Sequence, residues 1–101
     1  MGNIIACTTP TIKFRFNKVD PAHITEAYMT VKEGDTVIME RDLSTATIED
    51  NMISWTLTQE ETFEFAKSIS CQLNWLTDSG TRGASKKARI EISENLKNEV
   101  I

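Results

Sequence analysis

Long apolar runs are missing from this sequence. None approaches the ~20 residues that a membrane-spanning helix needs, so no membrane contact of that kind is expected. Histidine is nearly absent, His23 being the single one, and cysteine is limited to Cys7 and Cys71. One imidazole and two distant thiols do not have the ligand spacing of a zinc site. No GxxxxGK[ST] or GxGxxG segment occurs, which excludes the common phosphate-cradling loops. Positive charge is in deficit: 11 Lys plus Arg stand against 15 Asp plus Glu, for a formal net charge of −4. Non-specific nucleic-acid binding rests on phosphate contacts from a basic face, so no nucleic-acid partner is expected. Residues 1–10 have no basic n-region and only a short apolar stretch at residues 4–7, so no signal peptide is expected. A reducing compartment follows, and both cysteines read as thiols. Cys7 precedes the first convincing strand, the wrong place for an inter-sheet bridge.

What remains is ordinary globular material. The 101 residues suit one domain, and 40% hydrophobic with 26% charged residues favours a folded chain. Period-two alternation dominates. Residues 11–17 put Ile12, Phe14 and Phe16 on one face, and residues 24–32 put Ala27, Met29 and Val31 inward. Glu33-Gly34-Asp35 is a tight-turn signal, so residues 36–41 form a hairpin with that strand. Residues 46–49 read as a short strand, and residues 52–58 align Ile53, Trp55 and Leu57. Thr58-Gln59-Glu60-Glu61 is then a capping box, opening one short helical turn. Phe63 reads as a plug closing the end of the core. Residues 68–75 alternate again, with Ile69, Cys71, Leu73 and Trp75 inward. Residues 77–84 read as a loop, and residues 85–93 as the last strand. About seven strands without a βα alternation predict an all-β sandwich, with a half-open barrel as the architectural rival. The chain divides into an arm (residues 1–10), a sandwich (residues 11–93) and a tail (residues 94–101).

Catalytic signals are weak. Glu49-Asp50 and Glu60-Glu61 sit in a turn and a helix start, without the apolar setting that would raise a carboxyl pKa for acid catalysis. Asp35, Glu40 and Asp42 lack the Gly-centred loop of a calcium site. No enzyme activity, cofactor or metal is expected. Residues 81–90 carry Arg82, Lys86, Lys87 and Arg89 with no acid, which reads as a solvated face or as an electrostatic contact.

The segments TLTQEETFEF and SISCQLNW, with the earlier AYMTVKEGDTVIMERD and the closing ARIEISENLKNEVI, resemble small structural proteins of tailed phages and prophages of Gram-positive bacteria. They are similar also to the immunoglobulin-like N-terminal domain of phage upper baseplate proteins. The likeness spans about residues 11–101; Cys71 and the Gly/Arg-rich residues 77–84 depart from it. It implies an immunoglobulin-like sandwich, with the helical turn between the fifth and sixth strands. It also implies a tail or baseplate component without catalysis, built in the host cytoplasm and carried into the virion. Its partners would be other virion structural proteins or copies of itself. Terminal segments and strand edges are the expected contacts. Ile4, Ile5, Leu96, Val100 and Ile101 are the apolar candidates, and Arg82, Lys86 and Lys87 the electrostatic ones. The alternative is a small cytosolic module binding a peptide or carbohydrate through Tyr28 and Trp75.

Overall fold

Alternation decides which side chains meet. A computed structural model describes residues 3–101. Nine strands form among them: β1 (Asn3–Ile5), β2 (Thr11–Arg15), β3 (Ile24–Glu33), β4 (Thr36–Asp42), β5 (Thr47–Glu49), β6 (Met52–Thr56), β7 (Ser68–Thr77), β8 (Arg82–Ala84) and β9 (Ala88–Ser93). One short helix, α1 (Gln59–Phe63), links β6 to β7. The larger sheet runs β1-β9-β7-β3-β4, with β8 also paired to β7; the smaller runs β2-β6-β5. The long central pair is β3–β7, antiparallel from Ile24 opposite Thr77 to Lys32 opposite Ser70. Met29, Val31, Ile69 and Leu73 from the large sheet share one core with Phe16, Ile53 and Trp55 from the small one. This is an all-β sandwich. Its strand order is that of immunoglobulin domains, G-F-C-C′ over B-E-D, with β9-β7-β3-β4 over β2-β6-β5.

Turn chemistry fixes the hairpins. Gly34 and Asp35 form the two-residue loop between Glu33 and Thr36, and Gly34 takes φ +62°. Positive φ at the first loop residue alone is the sign pattern of a type II′ turn, which favours Gly there. Asp50 and Asn51 join β5 to β6 with φ of 52° and 59°. Two positive values make a type I′ turn, and Asp and Asn are the non-Gly residues that best tolerate them.

The capping box forms as expected. The Thr58 hydroxyl accepts from the Glu61 amide at 3.1 Å, and Glu61 Oε1 accepts from the Thr58 amide at 2.9 Å. Phe63, however, is not the plug: its side chain is exposed. The cause is its neighbour. Thr62 is fully buried because its hydroxyl donates to the Thr8 carbonyl (2.8 Å) and accepts from the Thr8 amide (3.0 Å). Successive helical residues are ~100° apart, so anchoring Thr62 inward swings Phe63 out. Phe65, beyond the helix, is buried and closes the core instead.

Two strands exceed the sequence reading. β1 and β8 have three residues each, too short to show a period. Residues 3–5 are therefore not a free arm. They lie parallel to β9, Ile4 opposite Ile92, and Ile4 is buried. Part of the anticipated loop 77–84 is β8, with Gly83 opposite Trp75. The Trp75 indole lies over Gly83 and meets Phe16 edge-to-face, with centroids 5.0 Å apart. A Cβ at Gly83 would stand 2.4 Å from Trp75 Cζ2. Gly83→Ala is therefore expected to cost about 1–3 kcal/mol by overpacking. Urea unfolding checks this; an unshifted midpoint would show that the indole moves aside freely.

Cys71 occupies β7, the strand that carries one bridging cysteine in antibody domains. Its partner strand there, β2, presents Ile12 and Phe14 and no cysteine. Both Cys7 and Cys71 are free and buried, and burial pushes the Cys71 thiol above its ordinary pKa.

Candidate interaction surface

The proposed contact residues fall into separate places. The tail, residues 94–101, does not trail into solvent. Asn95 Nδ2 donates to the Ala6 carbonyl at 2.8 Å, and the Ile101 amide donates to Gln59 Oε1 at 2.8 Å. Gln59 Nε2 returns a bond to the Ile101 carbonyl at 2.9 Å. The tail thus runs from the exit of β1 to α1. Ile5, half exposed, stands opposite Ser93, immediately before the tail. Leu96 is wholly exposed and Ile101 is 85% exposed. Val100 is exposed as well, and Phe63 lies one helical turn beyond Gln59 on the same side of α1. The structure therefore brings Ile5, Leu96, Val100 and Ile101 to one end of the sandwich. Ile4 is not among them: it is buried beside β9.

The basic candidates lie elsewhere. Arg82 pairs opposite Leu76 and donates to Asn74 Oδ1 at 3.2 Å. Leu76 is eight residues along β7 from Ser68, where the tail's end of the sheet begins. At ~3.3 Å per residue that is about 26 Å. Lys86 and Lys87 precede β9 and are exposed. Lys86 joins Lys13 at a cleft of about 370 Å³ between the two sheets, beside β2. Ile4, Ile12, Phe14 and Ile90 supply its apolar walls.

Exposed apolar residues on the opposite flank escaped the sequence reading. Val37, Ile38 and Ile48 are all exposed on β4 and β5, the edge strands there. The signal was the run Val37-Ile38-Met39, which breaks alternation. Its cause is a bulge: Val31 opposes Met39 while Lys32 opposes Val37, so Ile38 lies outside the ladder. Ile38 borders a second depression, about 280 Å³, with Met39, Phe65, Glu60, Glu61 and Glu64.

One ion pair ties this flank to α1. Arg41 Nε and Nη2 donate to Glu61 Oε2 and Oε1 at 3.0 and 2.6 Å. Burial acts first on Glu61 and pushes its pKa up. The Arg41 and Thr58 hydrogen bonds and the Arg41 charge outweigh it, so the net shift is downward. Arg41 is raised by the same bond.

Tyr28 and Trp75, the aromatics of the binding-module alternative, both line a shallow depression of about 260 Å³ with Glu26, Asn74, Leu76 and Arg82. The Trp75 indole is engaged with Phe16 and Gly83, so Tyr28 is the aromatic ring free to stack there. The Tyr28 hydroxyl donates to Glu26 at 2.9 Å. His23 Nδ1 lies 3.0 Å from Asp78 Oδ2, which raises the imidazole pKa through that hydrogen bond. The Cys71 thiol is far from this pair: Cys71 opposes Val31, six residues along β7 from Thr77, about 20 Å away.

The described residues thus present free strand edges, exposed apolar side chains and depressions of opposite charge. No protein-family model matches the sequence, and no curated protein matches it.

Proposed function

We propose that this chain is a structural subunit of a phage or prophage virion, of tail or baseplate type, working through protein–protein contacts. The resemblance of its strand–corner–strand segments suggests the setting. The observation that carries the reading is that Leu96, Val100, Ile101 and Ile5 are each exposed on segments that reach one end of the sandwich. Contiguous exposed apolar surface on a soluble protein marks an interaction site, and these residues are the candidates to form one. The free edges of β2, β4 and β5 add backbone groups that a neighbouring strand can take up.

The test is light scattering coupled to size exclusion over about a hundredfold range of concentration. The parent chain is expected to associate to a defined mass. Replacing Val100 and Ile101 by Asp is expected to keep the fold and weaken association by at least about tenfold, ~1.4 kcal/mol. Unchanged association would remove the tail from the contact. A parent chain that stays monomeric throughout would overturn self-assembly and favour the binding module. For that module the depression around Tyr28, Asn74 and Arg82 is the site to screen with glycans and peptides by chemical shift.

A further inference from the structure

The two depressions beside the sandwich edges are opposite in charge. The cleft by β2 has Lys13 and Lys86 in its lining and, among the described residues, no acid. The corner between β4 and α1 has Glu60, Glu61 and Glu64 in its lining and no lysine or arginine. They lie on opposite flanks, since β2 stands by β1 and β9, whereas β4 is the far edge of the large sheet. Each pairs its charge with apolar surface. The cleft offers Ile12, Phe14 and Ile90; the corner offers Ile38, pushed out of the ladder by the bulge, with Val37 beside it.

The β2 edge is also open along its backbone. The Leu57 amide bonds the Pro10 carbonyl and the Phe16 amide bonds the Asn51 carbonyl, so even-numbered residues of this stretch point their backbone groups at β6. Thr11, Lys13 and Arg15 turn theirs to the free edge, and all three side chains are exposed.

We infer that copies of this chain join head to tail, the acidic β4–α1 corner of one copy seating Ile38 in the lysine-bordered cleft beside β2 of the next. This rests on the self-assembly reading above. A two-fold contact of cleft with cleft would set lysine against lysine, and one of corner with corner would set glutamate against glutamate. Like charges across an interface are penalised. The complementary pairing is heterologous, and a heterologous contact closes into a ring or runs on as a filament.

Charge reversal on each face tests this. One variant carries Lys13→Glu and Lys86→Glu; the other carries Glu60→Lys and Glu64→Lys. All four side chains are exposed, so both variants should keep the parent's circular dichroism and melting behaviour. At low ionic strength each variant alone is expected to associate at least about tenfold more weakly than the parent, ~1.4 kcal/mol, through whatever contact the tail retains. Their equimolar mixture should assemble again, because each reversed face meets an opposite one on the other variant. Raising salt should weaken the parent, since the Debye length falls from ~10 Å at 0.1 M to ~3 Å at 1 M. Two results overturn the contact while leaving self-association standing: a variant that associates as the parent does, or a mixture that is not rescued. A parent that stays monomeric overturns both the contact and the self-assembly on which it rests.

Discussion

Replacing Trp55 by alanine is expected to lower the unfolding free energy by about 3–5 kcal/mol. The indole is 1% exposed and lies between the two sheets, edge-on to Phe14 with centroids 6.1 Å apart. Truncation leaves a cavity that neighbouring strands cannot close, because both are held in register. A second cost arises at the polar end. Trp55 Nε1 donates to the Asp42 carbonyl at 2.9 Å, and that carbonyl loses its partner. Asp42 ends β4 and caps the following 3-10 turn through its side chain, which accepts from the Ser44 amide at 2.9 Å. The indole therefore ties the small sheet to the point where the chain leaves the large one. Trp55→Phe separates the contributions. It keeps most of the ring but not the donor, and is expected to cost about 1–3 kcal/mol, the price of an unmatched buried acceptor plus slight underpacking. Domains of this size hold ~5–15 kcal/mol in all, so the alanine variant should lie near its midpoint in mild denaturant. Urea unfolding followed by circular dichroism at 220 nm or so reads both, free of the altered fluorescence. Equal losses for the two variants would show that the hydrogen bond, not the ring, dominates.

The architecture was legible where one face of a strand is buried and the other wet. In β3 and β7, Ala27, Met29, Val31, Ile69, Cys71 and Leu73 were assigned inward and all are buried. The hairpin at Gly34 and the capping box at Thr58 were legible for another reason: their chemistry is local, within four residues. What failed was non-local. Size alone points Phe63 inward. The side chain that orients α1 is Thr62, and its partner Thr8 is 54 residues away. β1 is held by pairing with β9 across the whole chain, so nothing in its three residues distinguishes it from a loose arm.

The candidate surface follows the same rule. The exposed tail residues were legible because apolar side chains in polar company need a reason. The basic run at residues 81–90 was legible as composition. Its division was not: Arg82 lies at one end of β7, whereas Lys86 shares a cleft with Lys13, a residue outside the run. The acidic corner was invisible too, because it needs the β4 bulge and α1 side by side, a meeting that the Arg41–Glu61 pair and the shared depression reveal.

That pair carries the second large effect. Glu61→Ala is expected to cost about 2–4 kcal/mol and Glu61→Gln about 1–2 kcal/mol. The carboxylate does two things. It closes the capping box by accepting from the Thr58 amide, a contribution of about 1 kcal/mol. It also accepts two bonds from Arg41 at a site where both side chains are only about one-fifth exposed, 20% and 23%. Pairs so shielded lose more when one partner goes than surface pairs do, because the remaining charge is left without compensation. Glutamine keeps an acceptor for the cap but not the charge; alanine keeps neither. Arg41 retains a bond to the Thr45 hydroxyl at 3.3 Å in both. At ~4–8 °C per kcal/mol for a chain of this length, the alanine variant should melt at least about 8 °C lower. The pH dependence has a definite sign. Glu61 titrates below its ordinary 4.5 in the folded chain. Its ionised form therefore stabilises the fold fully above that value, and the contribution is lost as pH falls through the lower folded pKa. The gap between parent and Glu61→Gln should accordingly be widest near neutrality and shrink in acid. A gap that shrinks nowhere along the acid limb of the stability profile would mean that the charge contributes nothing, and that Glu61 acts through its hydrogen bonds alone.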